Sequence, residues 1–201
     1  MPEDSIFLMA SSTKPVIGVA AMILIDDGLI SALDPVSKYI PEYKEVMVAA
    51  PLGVLDEGST LKSRSNNKSV KKLTSKSKDK SKNGRYSKIR RETPEYRLEM
   101  VNRPLTIHDL LTHTAGLGTG SGLGARIAKD RAGPTDTLAT WVPRLSSSPL
   151  DFQPGTRWGY SPGSGLKVVG RIIEIASGQS LHKFIQTRIL DPLNMKDTYW
   201  D

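Results

Sequence analysis

With 201 residues, 38% of them hydrophobic, the chain is long enough to bury one core or to contribute to a larger one. It has no cysteine, which excludes disulfides, thiolate metal ligands and thiol redox chemistry. The net charge of +7 is unevenly spread: residues 60–91 hold 13 Lys and Arg against one acid, Asp79, whereas the rest holds 15 basic and 20 acidic residues, a net of −5.

In chain order, the opening "MPEDSIFLMA" carries two acids, no base and a short apolar run. No later stretch approaches the roughly 18 apolar residues of a membrane span. The sequence as written therefore shows no export signal and no anchor, and it leaves the compartment open.

A helix is expected from near Ser11 to Asp27 with a stop at Gly28, followed by a turn-rich segment between Pro35 and Pro41. Residues 1–55 form the first piece. Residues 56–97 form the second, containing "SNNKSVKKLTSKSKDKSKNGRYSKIRR"; a Ser/Lys/Asn bias with few large apolar residues does not offset the entropy of ordering, so this reads as a disordered basic insertion. Attachment of residues 60–91 to nucleic acid or anionic lipid is one reading of the charge. Tyr86 is the only aromatic of residues 60–91, however, which leaves no stacking platform and favours a solvated loop with no nucleic-acid partner.

Residues 98–201 return to a folded pattern. In "LTIHDLLTHTAGL", Thr106 is placed to cap a short helix, with Asp109 three residues on, Ile107, Leu110 and Leu111 as its apolar side, and Gly116 as the expected C-cap. In "GLKVVGRIIEIASG", Leu166, Val169, Ile172, Ile173 and Ala176 recur at helical spacing up to Gly178, and Ser180 opens a further helix, "SLHKFIQTRIL". No run alternates convincingly enough to read as a strand.

Two segments carry candidate chemistry. In "MASSTKPVIGVAAMILIDDG" Lys14 follows Ser11 by one helical turn, so its amine can lie against the hydroxyl and, if its apolar neighbours desolvate it, take the proton. The spacing alone has little value, since it recurs at Ser65/Lys68, Ser69/Lys72 and Ser164/Lys167. On its own the segment reads as a polar helix start with a snorkelling lysine. In "FQPGTRWGYSPGSG" a Pro-Gly turn leads to Tyr160 just before a helix; a tyrosine beside a lysinium can serve as general base, or can simply pack at a loop end.

Together, "MASSTKPVIGVAAMILIDDGLISALDPVSKYIPEY", "RPLTIHDLLTHTAGL" and "FQPGTRWGYSPGSGLKVVGRIIEIASGQSLHKFIQTRILDPLNMKDTYW" resemble the serine β-lactamase and penicillin-binding-protein superfamily. The likeness is to its class C branch with the related esterases and D-aminopeptidases. The resemblance implies an α+β fold of the β-lactamase/transpeptidase type, with Ser11 as the acylated nucleophile, Lys14 as its SxxK partner and Tyr160 opening the Tyr-x-Asn motif as base or proton relay. It implies acyl transfer through a covalent serine ester on a small-molecule ester, β-lactam or peptide-like amide, without metal or organic cofactor. Relatives of this kind often work in the periplasm or outside the cell. The resemblance makes His108, His113, Asp109 and Glu174 scaffold rather than catalysts.

Two departures qualify that expectation. Where the family usually has asparagine two positions after the tyrosine, this chain has Pro162, which offers neither a side-chain amide nor a backbone N–H; this favours an ester over an amide. The family's third motif, Lys/His-x-Gly on a late strand, is not found, nor are its leading strands. The chain is thus expected to be truncated at both ends and to hold mainly the helical part of the fold, with much of the antiparallel sheet missing. A catalytically inactive fragment is the alternative this raises. Oligomeric state is not legible in the sequence.

Overall fold

A computed structural model describes residues 5–52, 95–120, 122–128 and 131–199. The basic stretch 60–91 lies outside the described residues, so the insertion reading is not addressed by the fold. Among the described residues the elements are helix α1 (Thr13–Asp26), strands β1 (Met47–Pro51) and β2 (Tyr96–Met100), and helices α2 (Ile107–Leu111), α3 (Leu123–Ile127), α4 (Leu138–Leu145), α5 (Ser164–Ser177) and α6 (Leu181–Ile185). Short 3-10 turns at Ala10–Ser12, Val36–Lys38 and Pro41–Glu45 and a π-turn at Gln186–Leu190 join them.

Helix α5 is the centre of the core. Leu166, Val168, Val169, Ile172 and Ile173 are buried on it, and α1, α2, α4 and α6 all pack against it. Gly165 and Gly170 are buried as well, and a Cβ on Gly170 would come within 3.0 Å of Leu181 and 3.2 Å of Leu138, so the missing side chain is what lets α4 and α6 approach. Helix α5 stops at Gly178, whose φ of 68° is the left-handed C-cap expected from the sequence. Ser180 then caps α6 by accepting the Lys183 N–H at 3.2 Å.

Helix α1 is apolar around its whole circumference. It buries Ile17, Ala20, Ala21 and Leu24, the two alanines allowing close approach to α5, while Val19 and Met22 remain exposed. No helix among the described residues is long and apolar enough to cross a membrane.

The sheet was not legible in advance. β1 and β2 pair antiparallel with Met47 opposite Met100 and Pro51 opposite Tyr96, and Leu150 bridges to Val48 on the other side of β1. "MVAAP" has no alternation to announce a strand. Tyr96 and Arg97, assigned from the sequence to the end of the insertion, are the first residues of β2.

Around α2 the capping reading is met. Thr106 Oγ1 accepts the Asp109 N–H at 3.3 Å, and Asp109 Oδ2 accepts the Thr106 N–H at 3.0 Å. The helix ends at Leu111 with Thr112 as C-cap, so Gly116 is not its cap. Gly116 instead makes a left-handed turn at φ 72° directly under Phe152, whose carbonyl would lie 2.7 Å from an added Cβ.

Asp109 is almost completely buried and also accepts both Arg103 guanidinium nitrogens at 2.7 Å. Burial would raise its carboxyl, but the hydrogen bonds from Arg103 and Thr106 outweigh that and hold it below its usual 3.8. The sign follows: its contribution is fully present above pH 3.8 and is lost as pH falls through the lower folded value. Asp109→Ala is expected to cost about 2–4 kcal/mol, because it orphans the Thr106 donors and the Arg103 fork. Denaturant titration checks this, and a loss below about 0.5 kcal/mol would contradict it.

Candidate active site

Ser11 lies in the 3-10 turn that feeds α1, close to the positive end of that helix. The residue before it, Ala10, has φ 44°, a left-handed conformation that a residue with a Cβ adopts at a cost. One turn on, Lys14 Nζ donates to Ser11 Oγ at 2.9 Å.

The third group comes from the far end of the sequence. Tyr160 OH donates to Ser11 Oγ at 3.0 Å, and Lys14 Nζ lies 5.2 Å from the Tyr160 ring centroid. The three candidate residues named from sequence thus converge on one hydroxyl oxygen. The Lys14 ammonium first, and the Ser11 hydroxyl second, hold the Tyr160 phenol below its usual value of 10. The group is open to solvent: Ser11 is exposed, Lys14 is half-buried and Tyr160 is 38% exposed.

That openness corrects one expectation. Desolvation of Lys14 by its apolar neighbours is incomplete on the N-terminal side, where Phe7, Leu8 and Met9 are 62%, 95% and 57% exposed. They line the rim of a cleft of about 770 Å³ beside Lys14, whose floor includes Ile17, Trp141 and Leu166. Pro162 and Gly163 form part of the same cleft wall, so the position where an amide was expected presents a pyrrolidine ring.

The loop holding Tyr160 is laced to the turn after α2. Gly155 N–H donates to the Thr114 carbonyl at 2.9 Å and Asp151 N–H to the Gly116 carbonyl at 2.7 Å. Ser161 Oγ, buried, accepts the Gly165 N–H at 2.9 Å and so ties the loop to the start of α5. His113 was read as scaffold, yet its ring lies 4.9 Å from the Tyr160 ring. Burial first, and then the Lys14 charge, push its imidazole below 6.5. Of the other residues read as scaffold, His108 is exposed on α2, and Glu174 pairs with Arg171 and accepts the Leu181 N–H.

Comparison with known proteins agrees with this arrangement of elements. A family model described as Beta-lactamase matches residues 1–71 and 93–201. Esterase EstB of Burkholderia gladioli is 30% identical over 98% of this chain and 39% of its own length. A lovastatin esterase of Penicillium rubens is 31% identical over 97% of this chain and 39% of its own length. Simvastatin synthase (LovD) from Aspergillus terreus superposes with a TM-score of 0.57 at 21% identity, covering 92% of this chain and 36% of that one. The chain therefore spans about two fifths of the length of these relatives. The fold is of the β-lactamase and penicillin-binding-protein type, represented here mainly by its helical part with a two-stranded sheet among the described residues.

Proposed function

This chain belongs to the beta-lactamase family, and from that membership we propose that it works as a serine hydrolase through a covalent Ser11 ester, with an ester as its preferred substrate. One observation supports this reading above the others: a single serine oxygen receives hydrogen bonds from Lys14, three residues on in the first turn of α1, and from Tyr160, 149 residues away. Seven SxxK pairs besides this one can be found in the sequence; among those in the described residues, what distinguishes Ser11 is the tyrosine.

The chemistry follows from the charges. With the Lys14 ammonium beside it, the Tyr160 phenol ionises more readily than a free one, and the phenolate accepts the Ser11 proton as Oγ bonds to the substrate carbonyl carbon. Collapse of the tetrahedral adduct breaks the bond to the alcohol leaving group, which takes the proton back from Tyr160. Water then attacks the acyl-serine, losing its proton to Tyr160, and Ser11 leaves with that proton. Lys14, beside both Ser11 Oγ and the Tyr160 ring, holds the pair in place for each transfer.

Two observations favour an ester. Pro162 supplies no donor to a peptide-like amide, and the curated relatives described above are named as esterases. Turnover of p-nitrophenyl butyrate is expected to exceed that of a chromogenic cephalosporin by about 100-fold in kcat/KM, a difference of the size that a missing substrate hydrogen bond produces. The reverse order would replace the ester reading with a lactam one.

A further inference from the structure

His113 grips the chain on both sides of Tyr160. Its main-chain carbonyl accepts the Gly159 N–H at 2.9 Å, and its ring Nδ1 accepts the Ser161 N–H at 3.2 Å. Between these two anchors the Tyr160 ring lies 4.9 Å from the imidazole, tilted by 54°. Trp158 also meets the imidazole edge-on, with centroids 6.3 Å apart. Tyr160 itself belongs to no helix or strand, so no regular ladder fixes its backbone.

The backbone of His113 is itself unusual. Its φ of 60° is a left-handed value that a residue with a side chain adopts at a cost and keeps only where the surroundings over-determine it. This conformation lets one residue offer both its carbonyl and its side-chain nitrogen to the same neighbouring strand of chain. A ring nitrogen that accepts from a backbone N–H must carry no proton, so the neutral imidazole has its hydrogen on Nε2.

We propose that His113 is a positioning residue that holds the Tyr160 hydroxyl on Ser11 by clamping both residues flanking Tyr160, and that it does so only as the neutral Nε2–H tautomer. The inference rests on the reading in which Tyr160 moves the Ser11 proton. Protonation would place a hydrogen on Nδ1 facing the Ser161 N–H, two donors opposed, and would release the clamp. The titratable groups facing the imidazole are Lys14 from α1 and Tyr160 from the loop. The Lys14 charge and burial both disfavour the imidazolium, so the clamp holds into mildly acidic solution.

The test compares His113→Ala, His113→Asn and Tyr160→Phe, alone and combined, in hydrolysis of p-nitrophenyl butyrate. Asparagine keeps an acceptor oxygen and tolerates positive φ; alanine keeps only the carbonyl. His113→Ala is expected to lower kcat by about 10- to 100-fold with KM nearly unchanged, the size of effect a misplaced catalytic group produces. His113→Asn is expected to restore most of that loss, and His113→Ala is expected to add nothing once Tyr160 is phenylalanine, because both act through one hydroxyl.

Histidine 15N resonances of the wild-type chain provide a readout that needs no turnover, with His113 expected to be unprotonated at Nδ1 and protonated at Nε2. A proton on Nδ1 at neutral pH, or losses from His113→Ala and Tyr160→Phe that multiply, would overturn the inference while leaving the Ser11–Tyr160 reading intact. A wild-type rate in Tyr160→Phe would remove that reading, and this inference with it.

Discussion

Replacing Ser11 with alanine is expected to lower ester hydrolysis by about 10⁴-fold or more, to the residual level that a site retains without its nucleophile. The expectation follows from geometry: Ser11 Oγ is the one atom on which Lys14 Nζ and Tyr160 OH both converge. Without it, neither group has a proton to move. Stability is expected to change little, because Ser11 is exposed and its substitution leaves no buried partner unpaired. The check is a pair of measurements on the same preparation, initial rates and thermal unfolding. A rate within about tenfold of wild type, at unchanged unfolding temperature, would place the nucleophile elsewhere.

Tyr160→Phe is expected to lower kcat by about 10²- to 10⁴-fold, the range for loss of a positioned acid–base group. The ring remains, so its packing on His113 and its place near Lys14 are kept; only the hydroxyl is lost. The pH profile carries more information than the magnitude. In the proposed mechanism Tyr160 acts as phenolate, so the wild-type rate should rise with pH through the lowered value of its phenol, below the usual 10. That limb should vanish in Tyr160→Phe. In Lys14→Met the limb should survive but move to higher pH, since the cation that lowers the phenol is gone. Unmoved limbs in Lys14→Met would show that Lys14 does not tune Tyr160.

What could be read in advance from the sequence was local. The Thr106 and Ser180 caps and the Gly178 stop follow from residue type and spacing within one turn, and the structure has them. The Ser11–Lys14 approach is likewise a one-turn relation on a helix. The contact between Tyr160 and Ser11 spans 149 positions, and nothing in either segment's own pattern announces it; family resemblance supplied the pairing as an expectation.

Other features escaped for identifiable reasons. Helix α4 opens on a capping box made of two threonines, Thr137 and Thr140, instead of the usual Thr and Glu, and it contains Pro143, a residue that ordinarily ends a helix. Near its end the Tyr43 hydroxyl donates to the Val142 carbonyl at 3.2 Å, a contact 99 positions apart in the chain that neither segment's pattern announces. His113 was read as scaffold, but which segment it braces was not legible: that depends on a left-handed φ and on two acceptors of one residue turned toward the same segment, and backbone geometry of that kind has no sequence signature in a residue other than glycine or asparagine.

The central claim is that Ser11 becomes acylated during turnover, and trapping the acyl-enzyme tests it most directly. The wild-type chain, acid-quenched during hydrolysis of p-nitrophenyl butyrate, is expected to show one added butyryl group by intact mass, and fragmentation is expected to place it on Ser11. A butyryl group found on another residue, or none on folded protein that is turning substrate over, would contradict the account.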